Sequence, residues 1–256
     1  MTTTSTQNGR LQGKTAVITG ASTGLGFESA RQFLAQGARV IITGQNKARL
    51  DAAAKQLGSG VIPVLADVLK LPDLDALAQR TKAEFDKLDI LFANAGLGTF
   101  APFEAVDEAS FDLQFNTNVR GLFFTVQKLA PLLKPGSSVI LNASAVSGKG
   151  GPSASIYFAT KAAVRSFART FGAELAPRGI RVNALSPGFV PTQFLGRAGL
   201  DEQGAAGLAE QVTKSAPLGR AGRPEEIAAA AVFLASDDST YMTAADLLVD
   251  GGWASV

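Results

Sequence analysis

One pair of side chains, Tyr157 and Lys161 in the stretch SASIYFATKAA, has the chemistry to move a proton. The 256-residue chain contains no histidine and no cysteine, so the commonest general base and the thiol nucleophile are both absent. A tyrosine and a lysine four residues apart share one face of a helix. A phenol has an ordinary pKa of about 10, and a nearby ammonium favours the phenolate, so this pair predicts a tyrosine whose pKa is lowered.

The same residues also fit a purely structural interpretation. Lys161, Arg165 and Arg169 form a row at four-residue spacing, as a solvated basic stripe would. Each step of four residues drifts about 40° around a helix, which allows Lys161 to face a pocket while Arg169 faces solvent. Tyr157 alone would be an ordinary half-buried aromatic residue. Other parts of the sequence are needed to decide between these interpretations.

The elements that would position this pair alternate between short apolar runs and longer amphipathic segments. Seven runs are apolar throughout, which is typical of strands buried on both faces of a parallel sheet: TAVITG, ARVIITG, VIPVLAD, LDILFANAG, SSVILNAS, IRVNALSPG and ADLLVDGG. Helical segments fall between them at about residues 25–36, 47–57, 73–86, 108–133, 156–176 and 225–235. This alternation predicts an α/β fold with a doubly wound, mostly parallel, seven-stranded sheet and helices on both faces.

The chain shows no linker, internal repeat or low-complexity tract, so we expect a single domain over residues 13–256. The first 12 residues are expected to form a flexible tail. The Gly- and Ala-rich stretch at about residues 189–216 is long for a connection, which predicts a substrate-binding loop. Its apolar residues favour an apolar substrate over a phosphorylated one; they are Phe189, Val190, Phe194, Leu195 and Leu208.

The composition argues against several classes of function. A net charge of +2 is too small to favour nucleic acid or an anionic membrane as a partner. Without cysteine the chain has neither disulfides nor cysteine-ligated metal sites, and we expect no metal. The longest uncharged apolar run, residues 227–235, is far shorter than the roughly 20 residues of a membrane span. We therefore expect a cytoplasmic protein that acts on a small molecule.

A glycine-rich turn, TGASTGLG, follows the first predicted strand and opens the first helix. Its glycines, Gly20, Gly24 and Gly26, permit close backbone approach, and the free N–H groups at a helix start attract a pyrophosphate. A plain strand-to-helix turn would have a similar composition. The turn lies at the carboxyl end of the first strand, where ligands of such sheets bind, and this position favours a dinucleotide site.

With this turn, the sequence resembles the short-chain dehydrogenase/reductase family over about residues 14–253. The resemblance rests on motifs that occur in order: TGxxxGxG at residues 19–26, Asp67 after the third strand, ANAG at 93–96, NVRG at 118–121, Ser144 thirteen residues before Tyr157, and PGFVPT at 187–192. It implies a Rossmann-type domain that uses NAD(H) or NADP(H). Two residues depart from the family pattern, Ala93 in place of Asn and Ala244 in place of Gly, which bears on local packing.

The resemblance implies four catalytic residues, Asn118, Ser144, Tyr157 and Lys161. Ser144 would hold and polarise a carbonyl, Tyr157 would transfer the proton, and Lys161 would support it while contacting the nicotinamide ribose. The matching asparagine in the family interrupts a helix and holds a water in a proton relay. Here Asn118 lies in FNTNVRG, a run of poor helix formers inside a helical pattern, which supports that role. A polar turn of surface helix is the alternative.

A set of cofactor-binding residues is implied in the same way: Gly20, Ser22, Thr23, Gly24, Leu25, Gly26, Gln45, Asp67, Val68, Asn94, Ala95, Gly96, Tyr157, Lys161, Pro187, Gly188, Val190 and Thr192. Asp67 would meet the adenine, although a helix cap explains it nearly as well. Asn94 and Gly96 would lie beside the cofactor, or would only end the fourth strand. Thr192 would donate to the carboxamide or pyrophosphate, unless its segment is a structural turn.

The cofactor preference depends on the end of the second strand, which reads ITGQN. Gly44 stands where NAD-dependent relatives have an aspartate that repels a 2′-phosphate. The arginine common in NADP-dependent relatives is absent as well, so a phosphate would rest on weaker donors: Thr23, Gln45 and Asn46, with Lys47 nearby. Because the repelling carboxylate is missing, we expect NADP(H), with NAD(H) as the alternative.

These observations together predict an NADPH-dependent carbonyl reductase that acts on an apolar ketone. The alternatives are an NAD-dependent alcohol, sugar or steroid dehydrogenase, and a non-catalytic dinucleotide-binding protein. The set of four implied catalytic residues favours an enzyme, because a sensor needs only the glycine-rich turn. In the family, the helices that match those of Asn118 and Tyr157 pack against a second subunit, so we expect a homotetramer.

Overall fold

The computed structural model describes residues 9–194 and 202–256. Its strands are β1 Thr15–Ile18, β2 Arg39–Gly44, β3 Val61–Leu65, β4 Leu88–Ala93, β5 Leu133–Asn142, β6 Arg181–Pro187 and β7 Asp246–Val249. They form one sheet in the order β3-β2-β1-β4-β5-β6-β7, and every neighbouring pair is parallel. The predicted doubly wound α/β fold is confirmed, and the strand order reverses between β1 and β4.

Helices cover both faces of the sheet: α1 Gly24–Ala35, α2 Lys47–Leu57, α3 Leu71–Phe85, α4 Glu108–Phe115, α5 Leu122–Leu129, α6 Ser155–Leu175, α7 Glu202–Ser215 and α8 Pro224–Ala235. One core lies under α3, α5 and α6, and the other lies under α1, α2 and α8. Successive residues of a strand point to opposite faces, so Val17 of β1 enters the first core and Ile18 enters the second. The uniformly apolar strands follow from this two-sided burial.

The long helix predicted over residues 108–133 is interrupted where the poor helix formers lie. Between α4 and α5, residues Asn116–Gly121 form a π-helical turn, a local widening that is frequent at functional sites. Gly121 permits close packing there, because a Cβ at this position would lie 3.0 Å from the main-chain oxygen of Val68. The sequence therefore located the interruption correctly.

The stretch predicted as a loop over residues 189–216 contains a helix. Helix α7 occupies Glu202–Ser215 and is rich in Ala, Glu and Gln, which are strong helix formers. Gly204 and Gly207 lower the helix propensity of this segment, which is why its sequence resembles a loop. Residues 195–201 of the predicted loop lie outside the described residues.

Residues 9–12 pack against the domain, in contrast to the flexible tail predicted for residues 1–12. Leu11 is fully buried, and its main-chain N–H donates to the oxygen of Gln36 over 3.0 Å. Burial of a leucine side chain contributes roughly 1.5–3 kcal/mol, which outweighs the polar character of its neighbours. The domain therefore begins before residue 13, and residues 1–8 of the predicted tail lie outside the described residues.

Ala244, one of the two departures from the family pattern, adopts a positive φ of 58° just before β7. This left-handed conformation favours glycine. The main-chain N–H of Ala244 donates to the oxygen of Val182 over 2.7 Å, which supports the conformation. Gly172 of α6 provides room for the methyl group, since a Cβ at Gly172 would lie 3.0 Å from the Cβ of Ala244. The other departure, Ala93, is buried in β4.

Within residues 9–194 and 202–256, no helix combines the length and the apolar character that crossing a membrane requires. The same described ranges contain no group of three or more acidic side chains placed to hold a metal ion.

Candidate active site

A cavity of about 720 Å³ opens at the carboxyl ends of the strands, beside the point where the strand order reverses. Ligands of open parallel sheets bind in this position. Of the predicted cofactor-binding residues, only Gly26 does not line the cavity. Ser144, Tyr157 and Lys161 line it, whereas Asn118 lies behind its wall. The fold thus collects in one place residues that are far apart in the chain.

The glycine-rich turn forms the floor of one end of the cavity. Gly20 and Gly24 have φ angles of 64° and 60°, which few other residues adopt. A Cβ at Gly20 would lie 2.8 Å from the Cα of Ala95, so the turn has no room for a side chain there. Helix α1 begins at Gly24 with no side-chain cap from Thr23 and no acidic residue in its first turn. This helix start fits a pyrophosphate.

Asn94 braces the turn from the end of β4. Its Nδ2 donates to the main-chain oxygens of Thr19 and Gly20 over 2.9 and 3.2 Å. Its Oδ1 accepts from Nδ2 of Asn142 over 2.9 Å. These bonds connect the carboxyl ends of β1, β4 and β5, so Asn94 keeps the turn in place as well as lining the cavity.

Two buried oxygens near the cavity lack a hydrogen-bond partner among the described residues. They are Thr117 Oγ1 and Asn142 Oδ1, and both residues line the cavity. Buried polar atoms in native structures are nearly always hydrogen-bonded to protein, water or a ligand. Together with the free helix start, these atoms fit a polar dinucleotide bound along this wall.

Ser144, Tyr157 and Lys161 come together on one wall of the cavity. Ser144 stands two residues after β5, and the other two residues lie in the first two turns of α6. The Ser144 hydroxyl is hydrogen-bonded to the Tyr157 hydroxyl. The Lys161 ammonium donates to the main-chain oxygen of Asn142 over 2.7 Å and lies 5.7 Å from the centre of the Tyr157 ring. The hydroxyls of Ser144 and Tyr157 therefore lie together at the cavity wall, with the Lys161 ammonium beside them.

The ionisation of this pair differs from the expectation based on the sequence. Burial of the hydroxyl raises the pKa of Tyr157 to about 12, and the hydrogen bond to Ser144 lowers it only in part, although the side chain as a whole is partly exposed. Burial lowers the pKa of Lys161 to about 8. The predicted lowering of the Tyr157 pKa is therefore wrong for this state of the protein, because loss of solvent outweighs the nearby ammonium. At neutral pH the phenol is protonated and the lysine is mainly charged.

Asn118 stands in the π-helical turn and is 1% exposed. Its Oδ1 accepts from the Leu97 N–H over 2.9 Å, and its Nδ2 donates to the Leu97 oxygen over 2.7 Å. The same Nδ2 donates to Thr160 Oγ1 over 3.0 Å, and Thr160 Oγ1 donates to the main-chain oxygen of Tyr157 over 2.8 Å. Asn118 is thus connected to the helix of Tyr157 and Lys161. Sequence reasoning missed Thr160, although its place beside Lys161 and three residues after Tyr157 was a usable signal.

The far end of the cavity, beside β2 and β3, is lined by polar residues. Asp67 and Val68, which were predicted to bind the cofactor, line this end, and Asp67 Oδ1 accepts from the Leu69 N–H over 3.0 Å, as in a local turn. Lys47 forms a salt bridge of 2.7 Å with Asp51 on α2 and does not line the cavity.

Arg49 lines the far end in place of Lys47, beside Gln45 and Asn46. Sequence reasoning missed this arginine. The available signal was its position in the first turn of α2, which begins at Lys47, directly after the residues considered for a 2′-phosphate. Lys47, which was expected to assist a 2′-phosphate, pairs with Asp51 and does not line the cavity, whereas Arg49 does.

The opposite end of the cavity lies between the β6 end and α6. Pro187, Gly188, Val190 and Thr192, which were predicted to bind the cofactor, line it. Thr192 lies across from the glycine-rich turn, because a Cβ at Gly24 would be 3.6 Å from the Thr192 Cβ. These residues close the space between the turn and the wall that contains Tyr157.

This end is strongly aromatic. Phe189 and Phe194 line it, as the loop composition suggested, whereas Leu195 and the side chain of Leu208 lie outside the described residues. Sequence reasoning missed three further rings, those of Phe100, Phe158 and Trp253. Phe100 and Trp253 come from segments far from Tyr157 in the chain. Only Phe158, adjacent to Tyr157, had a local signal in the sequence.

Known proteins match this chain over nearly its whole length. A family model described as Enoyl-(Acyl carrier protein) reductase matches residues 20–254. The chain is similar to oxidoreductase asL5 of Sarocladium schorii, with 45% identity over 96% of this chain and 98% of that protein. It is also similar to the solved structure of a short-chain type dehydrogenase/reductase from Mycobacterium marinum, with a TM-score of 0.88 and 32% identity, covering 96% of this chain and 97% of that one.

A second similar structure is that of a 3-ketoacyl-(acyl-carrier-protein) reductase from Brucella melitensis complexed with NADH. Its TM-score is 0.87 at 34% identity, and the match covers 95% of this chain and 99% of that one. The region that the family model matches includes most of the glycine-rich turn, the four predicted catalytic residues and the aromatic end of the cavity. The protein is therefore an NAD(P)-dependent oxidoreductase of CH–OH and C=O groups, and it belongs to the short-chain dehydrogenase/reductase family.

Proposed function

We propose that the protein is an NADPH-dependent carbonyl reductase that acts on apolar ketones. The observation that carries this proposal is the grouping of the Ser144 and Tyr157 side chains with the Lys161 ammonium on one wall of the cavity, next to its aromatic end. A protonated phenol donates a proton but does not accept one. Because burial keeps Tyr157 protonated at neutral pH, its hydroxyl can give a proton to a carbonyl oxygen.

The contacts in the cavity support the following catalytic roles. Ser144 donates to the carbonyl oxygen and holds it beside Tyr157. Tyr157 gives its proton to that oxygen as negative charge develops there, and the Lys161 ammonium stabilises the phenolate that is left. Asn118 keeps the main chain at Leu97 in register with α6 through Thr160. A bound nicotinamide dinucleotide supplies the hydride.

The dinucleotide would be held along the wall already described. The start of α1 and Thr192 would hold the pyrophosphate end, and Lys161 would hold the nicotinamide ribose. Asp67 and Val68 would contact the adenine end. All of these residues line one continuous cavity, which supports a single extended ligand.

A 2′-phosphate is favoured at the adenosine end. Gly44 places no carboxylate at the end of β2, and Arg49 lines the cavity beside Gln45. No carboxylate among the described residues forms a salt bridge with Arg49, so its guanidinium is available for a phosphate. Asp67, the acidic residue of this lining, already accepts from the Leu69 N–H.

A carbonyl panel with both cofactors, followed by the nicotinamide absorbance, tests this function. The panel should contain aliphatic and aromatic ketones, sugars and steroids, with Tyr157→Phe as the inactive control. We expect apolar ketones to be reduced, with kcat/KM for NADPH at least about tenfold above that for NADH, a difference of about 1.4 kcal/mol. Oxidation of a sugar alcohol with NAD as the fastest reaction would contradict the proposal.

We also propose that the protein forms a homotetramer through the helices that carry Asn118 and Tyr157. Phe111 of α4 is 45% exposed and stacks on Phe115 at 4.6 Å, and Phe123 of α5 packs against Phe167 of α6 at 5.7 Å. Phe123 and Phe167 are only partly buried, and apolar side chains that stay accessible on neighbouring helices are typical of a subunit interface. Sedimentation should give the mass of a tetramer at micromolar concentration, and a stable monomer would refute the proposal.

A further inference from the structure

Three phenylalanine rings surround the ring of Tyr157. Phe100 lies 5.8 Å away at 70°, Phe194 lies 5.6 Å away at 50°, and Phe158 lies 6.4 Å away at 66°. Phe100 and Phe194 also contact each other edge to face at 6.5 Å. All three line the cavity. We call Phe100, Phe158 and Phe194 the aromatic ring set.

We propose that the substrates are aryl ketones, whose carbonyl carbon bears an aromatic ring, and that the aromatic ring set recognises this ring. This inference rests on the proposed function and names the substrate class of the same site. Because the carbonyl oxygen must reach the Tyr157 hydroxyl, a substituent on the carbonyl carbon lies next to the rings that surround Tyr157. Aromatic rings prefer edge-to-face or offset neighbours at about 4.5–7 Å, which is the spacing within this set.

The main chain is shaped to admit these rings. A Cβ at Gly98 would lie 2.7 Å from Tyr157 Cδ2 and 2.8 Å from Phe194 Cζ. A Cβ at Gly151 would lie 3.1 Å from Phe158 Cε2. Any side chain at Gly98 would displace the rings of Tyr157 and Phe194. The packing of the aromatic ring set around Tyr157 therefore depends on the absence of side chains at Gly98 and Gly151, which lie in separate loops.

The aromatic ring set also disfavours polar substrates. A sugar would place hydroxyl groups against phenyl rings that offer no hydrogen bond, and unpaired buried hydroxyls are costly. A flexible aliphatic chain would bury apolar area without the preferred ring contacts. Each edge-to-face pair is worth roughly two- to tenfold in affinity beyond its buried area. Because three rings surround the reacting hydroxyl, a flat aryl group gains more than a saturated ring of similar size.

The reaction is balanced by the groups already named. The reduced nicotinamide dinucleotide, as the electron donor, is oxidised, and a hydride with its electron pair forms the new C–H bond at the carbonyl carbon. The carbonyl π bond breaks, and its oxygen takes the proton from the Tyr157 hydroxyl. The product is a benzylic secondary alcohol, and solvent returns a proton to Tyr157.

The test compares acetophenone with cyclohexyl methyl ketone, which differ mainly in the aromatic character of one ring. The quantity of interest is the ratio of the two kcat/KM values with NADPH, measured in wild type, Phe100→Leu and Phe194→Leu. Comparing the ratio between variants cancels the intrinsic reactivity of each ketone. Phe103→Leu is the matched control, since Phe103 is 78% exposed and does not line the cavity. We expect the ratio to fall at least about threefold in each cavity variant and to stay unchanged in the control.

A binding measurement separates this inference from the proposed function. Trp253, the single tryptophan of the chain, lines the cavity, so its fluorescence reports ligand binding without turnover. We expect 1-phenylethanol to bind more tightly than 1-cyclohexylethanol in wild type, and this difference to shrink in Phe100→Leu and Phe194→Leu. If no ketone of the wider panel is reduced, the proposed function fails and the binding comparison decides the aryl preference. If ketones are reduced but both ratios are unchanged in the cavity variants, the aryl preference is refuted alone.

Discussion

The Lys161 ammonium donates to the main-chain oxygen of Asn142 over 2.7 Å, at the carboxyl end of β5. This bond holds a buried cation 5.7 Å from the ring centre of Tyr157, and burial lowers the pKa of the lysine to about 8. The charge of Lys161 therefore changes within an accessible pH range, whereas Tyr157 stays protonated. As the pH rises, turnover should therefore respond to deprotonation of Lys161 before it responds to deprotonation of Tyr157.

Ketone reduction should decline as the pH rises through about 8, the pKa of Lys161. Below this pH the ammonium stabilises the phenolate that forms when Tyr157 gives up its proton, and above it that support is lost. Initial rates with saturating cofactor from about pH 6 to about pH 10 would show the transition. A flat profile over this range would contradict a role for the lysine charge.

Alcohol oxidation should show the opposite trend. It requires Tyr157 to accept a proton, and burial raises the pKa of this hydroxyl to about 12. The oxidation rate should therefore increase with pH up to the alkaline limit of the protein's stability. Initial oxidation rates of a benzylic alcohol over the same pH series would measure this trend, and an optimum at neutral pH would show that the phenol is not the acceptor.

Tyr157→Phe should lower kcat at least about 100-fold while dinucleotide binding survives, because only the proton-transferring oxygen is lost. Ser144→Ala should lower kcat by about 100-fold, which corresponds to about 3 kcal/mol, since one donor to the developing oxyanion is removed. Steady-state kinetics combined with a titration of cofactor binding would measure both effects. Unchanged turnover in either variant would return that residue to a structural role.

Thr160→Val should lower kcat roughly tenfold, because it removes the hydroxyl between Asn118 Nδ2 and the main-chain oxygen of Tyr157 and leaves a buried amide hydrogen unpaired. Thr160→Ser keeps the hydroxyl and should retain most of the activity. Hydrogen exchange at the Leu97 amide, which donates to Asn118, should accelerate in the valine variant alone. Equal behaviour of the two variants would show that the hydroxyl does not position Asn118.

Lys161→Met should stabilise the folded protein at neutral pH while abolishing turnover. Lowering the pKa of Lys161 from 10.5 to about 8 means that its charged form costs about 3 kcal/mol of stability. This cost is fully present below about pH 8 and disappears as the pH rises to about 10.5, where the unfolded lysine also becomes neutral. Thermal unfolding at several pH values would measure it, with exposed Lys55→Met as control. A gain in stability that does not shrink as the pH rises would show that burial of the charged Lys161 is not its cause.

Arg49→Met should raise the KM for NADPH about tenfold and change that for NADH little, because a charge-assisted bond to the 2′-phosphate is lost. Lys47→Met is the matched control, since Lys47 pairs with Asp51 and does not line the cavity. Gln45→Arg should strengthen the preference for NADPH. The kcat/KM ratio for the two cofactors measures each effect, and a wild-type preference for NADH would contradict the assignment.

Features that depend on local pattern were predictable from the sequence. The apolar strands are buried on both sides, so their composition identified the parallel sheet, and the glycine-rich turn lies at the carboxyl end of β1 because it directly follows that strand. The spacing of Tyr157 and Lys161 places both in the first turns of α6. The helix interruption at Asn116–Gly121 follows from poor helix formers.

Only the tertiary structure decided the features that join distant segments. The contact between Asn118 and Thr160 spans 42 residues, and the approach of Phe100 to Phe194 depends on how two loops fold over α6. The ion pair with Asp51 removes Lys47 from the cavity, whereas Arg49 lines it. The sequence predicted a lowered pKa for Tyr157 from charge spacing alone. Burial raises that pKa instead, because desolvation depends on the surrounding atoms of the whole fold and not on neighbours along the chain.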